Sequence, residues 1–113
     1  MLIKKCENLE FNKVEIEGAL NVKMKMLVGP LDGSLNIAMR HFVVAPNGHT
    51  PRHIHDYEHV VKVEKNKGIF IDAIGKEHEI EEGYSLYVAP NELHQFRNPY
   101  KEDFEIICII PVK

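Results

Sequence analysis

The sequence predicts an all-β domain closed into a sandwich or barrel. Three observations predict it. The apolar runs are short and rich in Val, Ile, Phe and Tyr, residues that fit a pleated, half-buried surface. Clusters of Gly, Pro and Asn separate them at near-regular intervals. No long segment carries helical periodicity.

Residues 22–28 alternate Val22, Met24, Met26 and Val28 against Lys23, Lys25 and Leu27, a half-buried strand. Gly29-Pro30-Leu31-Asp32-Gly33 ends it as a turn. Residues 37–45 form the next strand, with Ala38, Arg40, Phe42 and Val44 on one face, and Pro46-Asn47-Gly48 reads as a turn. Residues 59–64 and 69–74 flank Asn66-Lys67-Gly68, which reads as a hairpin because Asn and Gly tolerate positive φ. Gly75-Lys76 is a further turn. Residues 76–82 are charged enough to carry one helical turn, stopped by Gly83. Strands at 85–89 and 104–111 complete the set. In the last one Phe104, Ile106, Cys108 and Ile110 share a face.

Residues 1–113 are the length of a single domain, and 44% are apolar, so the chain should fold around one core without staples. The net charge is −3 with both signs interspersed, and no basic block invites nucleic acid. Cys6 and Cys108 lack CxxC spacing, which argues against a disulfide framework or a thiolate zinc site. The charged N-terminus and the absence of a long apolar run give no sign of a leader or a membrane span. The expected setting is the cytoplasm.

Chemistry concentrates in the histidines. Three of the seven lie in His53-Ile54-His55-Asp56-Tyr57-Glu58-His59. On a strand, His53 and His55 project to one face, close enough to chelate one ion. His59 shares their parity and rejoins that face after a bend at Asp56-Tyr57. His94 reaches the same point if the second set of strands folds back over the first, as it does in a small closed barrel. His41, His49 and His78 stand alone and read as ordinary surface or core residues.

These segments resemble the two motifs of the cupin superfamily. Residues 47–66 are similar to the first, G(X)5HxH(X)3–4E(X)6G, and residues 83–98 to the second, G(X)5PxG(X)2H(X)3N. Asn47, Asn66 and Asn91 stand where the motifs have glycine, and Asn is the next most tolerant residue of the left-handed region. Pro90 falls one place late. His59 stands where most metal cupins carry glutamate. The runs HIHDYEHV, PNELHQFRN and CIIP resemble those of small one-domain manganese cupins with four histidine ligands.

The resemblance implies a cupin double-stranded β-helix, a jelly-roll barrel. It implies a divalent metal on His53, His55, His59 and His94, with manganese first and iron, nickel, copper or zinc open. Imidazoles by themselves suit those four metals at least as well. It places Ile106 and Cys108 beside the metal, while parity from His94 puts Phe96 in the same cavity. With no inward carboxylate evident near the site, redox chemistry fits better than proton shuttling. The implied activity is a dioxygenase-like or peroxide-dependent oxidation of a small molecule. Arg40, among apolar neighbours, is a candidate to orient an anionic substrate or oxidant, with a rim salt bridge as the alternative. Cys108 is a candidate reactive thiol, with a small buried hydrophobe as the alternative. The competing function is a non-catalytic module that binds a metal or small molecule. Residues 1–5 and 14–17 lie outside both motifs and are expected to pair across the twofold axis of a homodimer, covering an edge strand.

Overall fold

A computed structural model describes residues 1–112. Its strands are β1 (Asn12–Lys13), β2 (Leu20–Val28), β3 (Ile37–His49), β4 (His59–Lys65), β5 (Lys67–Ile71), β6 (Glu77–Glu81), β7 (Ser85–Val88), β8 (Gln95–Arg97) and β9 (Phe104–Pro111). All pairings between these strands are antiparallel. The order runs β6-β5-β8-β3-β9-β4-β7, with β2 also on β3 and β1 on β2. At 13 residues β3 is long enough to pair β9 along one stretch and β8 at its end, where His49 faces Arg97. That span curls the sheet into the expected all-β double-stranded β-helix.

Alternation sorts the side chains. Arg40, Cys108, Val61 and Leu86 lie opposite one another across β3, β9, β4 and β7. Cys108 and Val61 in that row are buried, so the row faces inward. The next row, Met39, Ile109, Val60 and Tyr87, faces outward. The core joins Val44, Val61, Val63, Phe104 and Ile106 from one side of the barrel to Phe70, Ile80 and Phe96 from the other.

Four expectations from the sequence do not hold. Asn66-Lys67-Gly68 is not a hairpin, because β4 pairs β7 and β9 while β5 pairs β6 and β8. Asn66 takes φ 61° and passes the chain between the two sides of the barrel, tied by its Nδ2 donating to the Asp103 carbonyl at 2.8 Å. The strand at 69–74 stops at Ile71, where the Asp72 carboxylate accepts from the Ile74 and Lys76 amides and makes a turn. Residues 76–82 contain strand β6 rather than a helical turn; Ile80 is buried and the flanking charges are exposed. Pro46-Asn47-Gly48 does not end β3, which continues to His49 with Asn47 at φ 67°.

The second-motif asparagine holds the barrel end. Asn98 is fully buried, and its Nδ2 donates to the carbonyls of Val44 and Glu102 at 2.8 and 2.7 Å. Its Oδ1 accepts from the Tyr100 amide. Asn98→Asp would replace the donor by an anion facing the carbonyls of Val44 and Glu102. The expected cost is about 3 kcal/mol or more, from two unsatisfied acceptors and their repulsion, read as a lowered urea midpoint.

Candidate metal centre

The first-motif histidines His53 and His55 do not sit on a strand. Between β3 and β4 the chain is a loop, fixed by a bridge in which His53 and His94 exchange amide–carbonyl hydrogen bonds at 3.1 Å. The Asn91 amide donates to the His55 carbonyl at 2.6 Å, with Asn91 at φ 64°. These bonds lay the second motif directly on the first. The bend at Asp56 and Tyr57 then returns the chain, so that His59 opens β4 as a buried residue.

Three of the four histidines come together closely. One ligand atom each from His53, His55 and His94 lies within 4.8 Å of the others, a grouping able to hold a metal ion. His59 falls outside that grouping, although its ring centroid is 4.8 Å from that of His55 and 5.2 Å from that of His94.

Hydrogen bonds orient two of these rings. The Nδ1 of His94 lies 2.8 Å from the Glu92 carbonyl, which can only accept, so Nδ1 carries the proton and Nε2 keeps its lone pair. The Nδ1 of His59 contacts the Cys108 thiol at 3.4 Å, while its Nε2 is buried without a hydrogen-bond partner. Burial is the main force on the protonation of His53, His55 and His59. It brings His53 down to about 4 and His59 to about 3, helped by neighbouring imidazoles and by the positive charge of Arg40, and it lowers His55 as well. Neutral imidazole is the form that ligates metals.

A cavity of about 310 Å³ opens in front of these rings. Arg40, Phe96, Ile106 and Cys108 all line it together with the four histidines, and among the described residues no carboxylate does. Arg40 lies over Phe42, 4.9 Å from ring centroid to guanidinium carbon, and donates to Cys108 Sγ at 3.7 Å. Its Nε is buried with no partner, and it forms no rim salt bridge among the described residues. Burial raises the Cys108 pKa, only partly offset by Arg40, so the group is a protonated thiol rather than a thiolate. The solitary histidines bond elsewhere: His41 to Glu105, His78 to Asp72, and His49 beside the Thr50 carbonyl.

One wall was not evident from the sequence. Val14, Ile16 and Ala19 line the mouth of the cavity, because the chain after β1 folds over it. The Val14 amide donates to the Val22 carbonyl, and Gly18 packs on Pro51. Val14 thus packs on the core of its own chain, while Glu15, Ile16 and Glu17 stay exposed. The alternation of Val14 and Ile16 with Glu15 and Glu17 was the available signal.

Residues 40–110, more than half of the chain, match the family described as the cupin domain. Among curated proteins, none matches at the sequence level. The polyketide cyclase RemF from Streptomyces resistomycificus is 23% identical, with a TM-score of 0.94 over 100% of this chain and 80% of that one. A predicted oxalate decarboxylase from Thermotoga maritima is 17% identical, with a TM-score of 0.86 over 99% of this chain and 100% of that one. A cupin-like protein, also from Thermotoga maritima, is 24% identical, with a TM-score of 0.78 over 91% and 79%. At these identities the likeness is one of fold.

Proposed function

This chain belongs to the cupin family, and from that premise we propose that its cavity is a four-histidine metal centre that oxidises a small organic substrate. The observation that carries the reading is the buried, unpartnered Nε2 of His59 in a cavity shared with His53, His55 and His94. A buried ring nitrogen without a partner is costly; with Nδ1–H donating to Cys108 Sγ, Nε2 presents a lone pair, and a metal ion is the partner that the three neighbouring imidazoles would also meet. Bound there, a divalent ion would supply Lewis-acid or redox chemistry at the positions its imidazoles leave open. Manganese is proposed on the motif resemblance, with iron, nickel, copper and zinc as the alternatives that imidazole donors favour.

The protein's own groups have distinct parts. Glu92 holds the His94 tautomer. Cys108 accepts from Arg40 and lies against His59 Nδ1, so it is a positioning residue for that ring. The buried Phe96 and Ile106 and the half-buried Val14 keep water from part of the lining. With no carboxylate among the described lining residues, the cavity offers no acid–base pair for decarboxylation or isomerisation. The test is oxygen uptake or peroxide consumption by Mn²⁺-, Fe²⁺- and Cu²⁺-loaded protein over a panel of phenols, alkenes and small acids. Turnover with at least one pairing is expected. Ligand uptake with no turnover would instead support the non-catalytic binding module.

The homodimer is part of the same proposal. Met1, Leu2 and Ile3 expose apolar side chains, and the outward row through Ile109, Val60 and Tyr87 is exposed as well. Light scattering at micromolar concentration is expected to give twice the chain mass of 13.0 kDa; the mass of one chain would count against it.

A further inference from the structure

The cavity carries one uncompensated formal charge. Of its described lining side chains only Arg40 is permanently ionised, and no Asp or Glu among them lines the same space. Among the described residues its Nε is buried without a partner, and the one hydrogen bond it makes is to a thiol at 3.7 Å, a weak acceptor. Arg40 is half-buried, but its Nε lies out of water, and a guanidinium donor left unpaired there is costly unless an anion meets it. The remaining polar group, the Thr50 hydroxyl, is already engaged, accepting from the Phe96 amide at 2.9 Å. Apart from Arg40, Thr50, Cys108 and the histidines, the described lining is apolar, with Val22, Met24, Phe42, Phe96 and Ile106 among it.

We propose that Arg40 is the anchor of an anion subsite that takes the carboxylate of a small organic acid, whose apolar body packs against Met24, Phe42 and the arm residues Val14 and Ile16. One guanidinium matches one negative charge, and its planar fork suits a carboxylate. In the metal-free chain a phosphate or a dicarboxylate would bring a second charge for which the described lining has no second cation. At about 310 Å³ the space suits a ligand of about ten non-hydrogen atoms, taking ~30 Å³ as the share of one water-sized atom. The inference deepens the functional reading above and rests on its cavity, but not on the metal.

Phenylacetate and its neutral analogue phenylacetamide have the required size and differ in charge. Their binding to the full-length chain can be followed by calorimetry and by chemical-shift perturbation, with chelator and again with Mn²⁺. The wild type is expected to prefer the acid by roughly tenfold or more, the size of one charge-assisted hydrogen-bonded pair. Arg40→Met, similar in length and uncharged, should bring the acid-to-amide ratio to about one while leaving amide binding intact. Arg40→Lys should keep the charge but lose the fork, and retain part of the preference; it and the wild-type comparison decide the matter if Arg40→Met does not fold. Equal affinities in wild type, no acid binding at millimolar concentration, or an undiminished preference in Arg40→Met would overturn the subsite. Failure of the metal reading would show differently, as an acid preference intact in chelator and no Mn²⁺ uptake.

Discussion

Phe104→Ala is expected to destabilise the protein by about 3–5 kcal/mol, the range for emptying a well-packed aromatic site. Phe104 is fully buried at the start of β9, where it pairs with Val44 of β3 and packs against Phe96 from β8, at a centroid separation of 6.4 Å. It therefore joins both sides of the barrel. Relaxation cannot fill the void easily, because Gly68 already lies against the ring: a Cβ there would stand 2.3 Å from Phe104 Cδ2. Gly68 is thus fixed by close approach rather than by backbone angle. Gly68→Ala alone should also destabilise strongly, whereas Gly68→Ala combined with Phe104→Leu should recover part of the loss, since the smaller side chain makes room. Chemical denaturation of wild type, Gly68→Ala, Phe104→Leu and their combination in a double-mutant cycle reads the coupling, and Phe104→Ala alongside reads the magnitude.

The second large effect falls on metal affinity. His94→Ala removes a buried ligand candidate whose orientation is set by the Glu92 carbonyl. Loss of an outer-shell partner alone commonly costs ten- to a hundredfold in affinity, so loss of the ligand itself should cost about a hundredfold or more. The backbone bridge between residues 53 and 94 does not depend on the side chain, so the fold should persist. His41→Ala is the control. That ring is paired with Glu105 at 2.8 Å and lies outside the cavity lining, so its loss should leave affinity unchanged. Competition with a fluorescent chelator, with thermal melts of the metal-free proteins alongside, separates ligation from folding.

Local chemistry proved legible, and long-range pairing less so. Asn47, Asn66 and Asn91, read as replacements for motif glycines, all take positive φ, at 67°, 61° and 64°. That requirement belongs to a single residue and shows in its identity. Parity in β9 likewise placed Phe104, Ile106 and Cys108 inside, because one buried face leaves no choice of register. By contrast, Asn66-Lys67-Gly68 announces a reversal of backbone angle but does not name the partners of β5; the crossover depends on Phe104, distant in sequence. Residues 76–82 carry little but charge, and the hydrogen bonds of β5 made them a strand. The spacing of His53 and His55 reads as a strand, yet they lie on a loop, their convergence with His94 produced by the bridge between the motifs. Tyr87, on the outer row of β7, is exposed and donates to Glu58, a place its residue type alone does not fix. The arm over the cavity was the largest omission, since two apolar residues among charges point equally to another chain or to the same one.

That His53, His55, His59 and His94 ligate one metal ion is tested most directly by anomalous diffraction at the manganese edge from crystals of Mn²⁺-loaded protein. One full-occupancy peak is expected in the cavity, within coordination distance of all four imidazoles, with His59 drawn in through its Nε2 and His94 through its own. A peak bound by His53, His55 and His94 alone, with His59 still unpartnered, would contradict the four-histidine centre, and an absence of any peak there would contradict the metal site altogether.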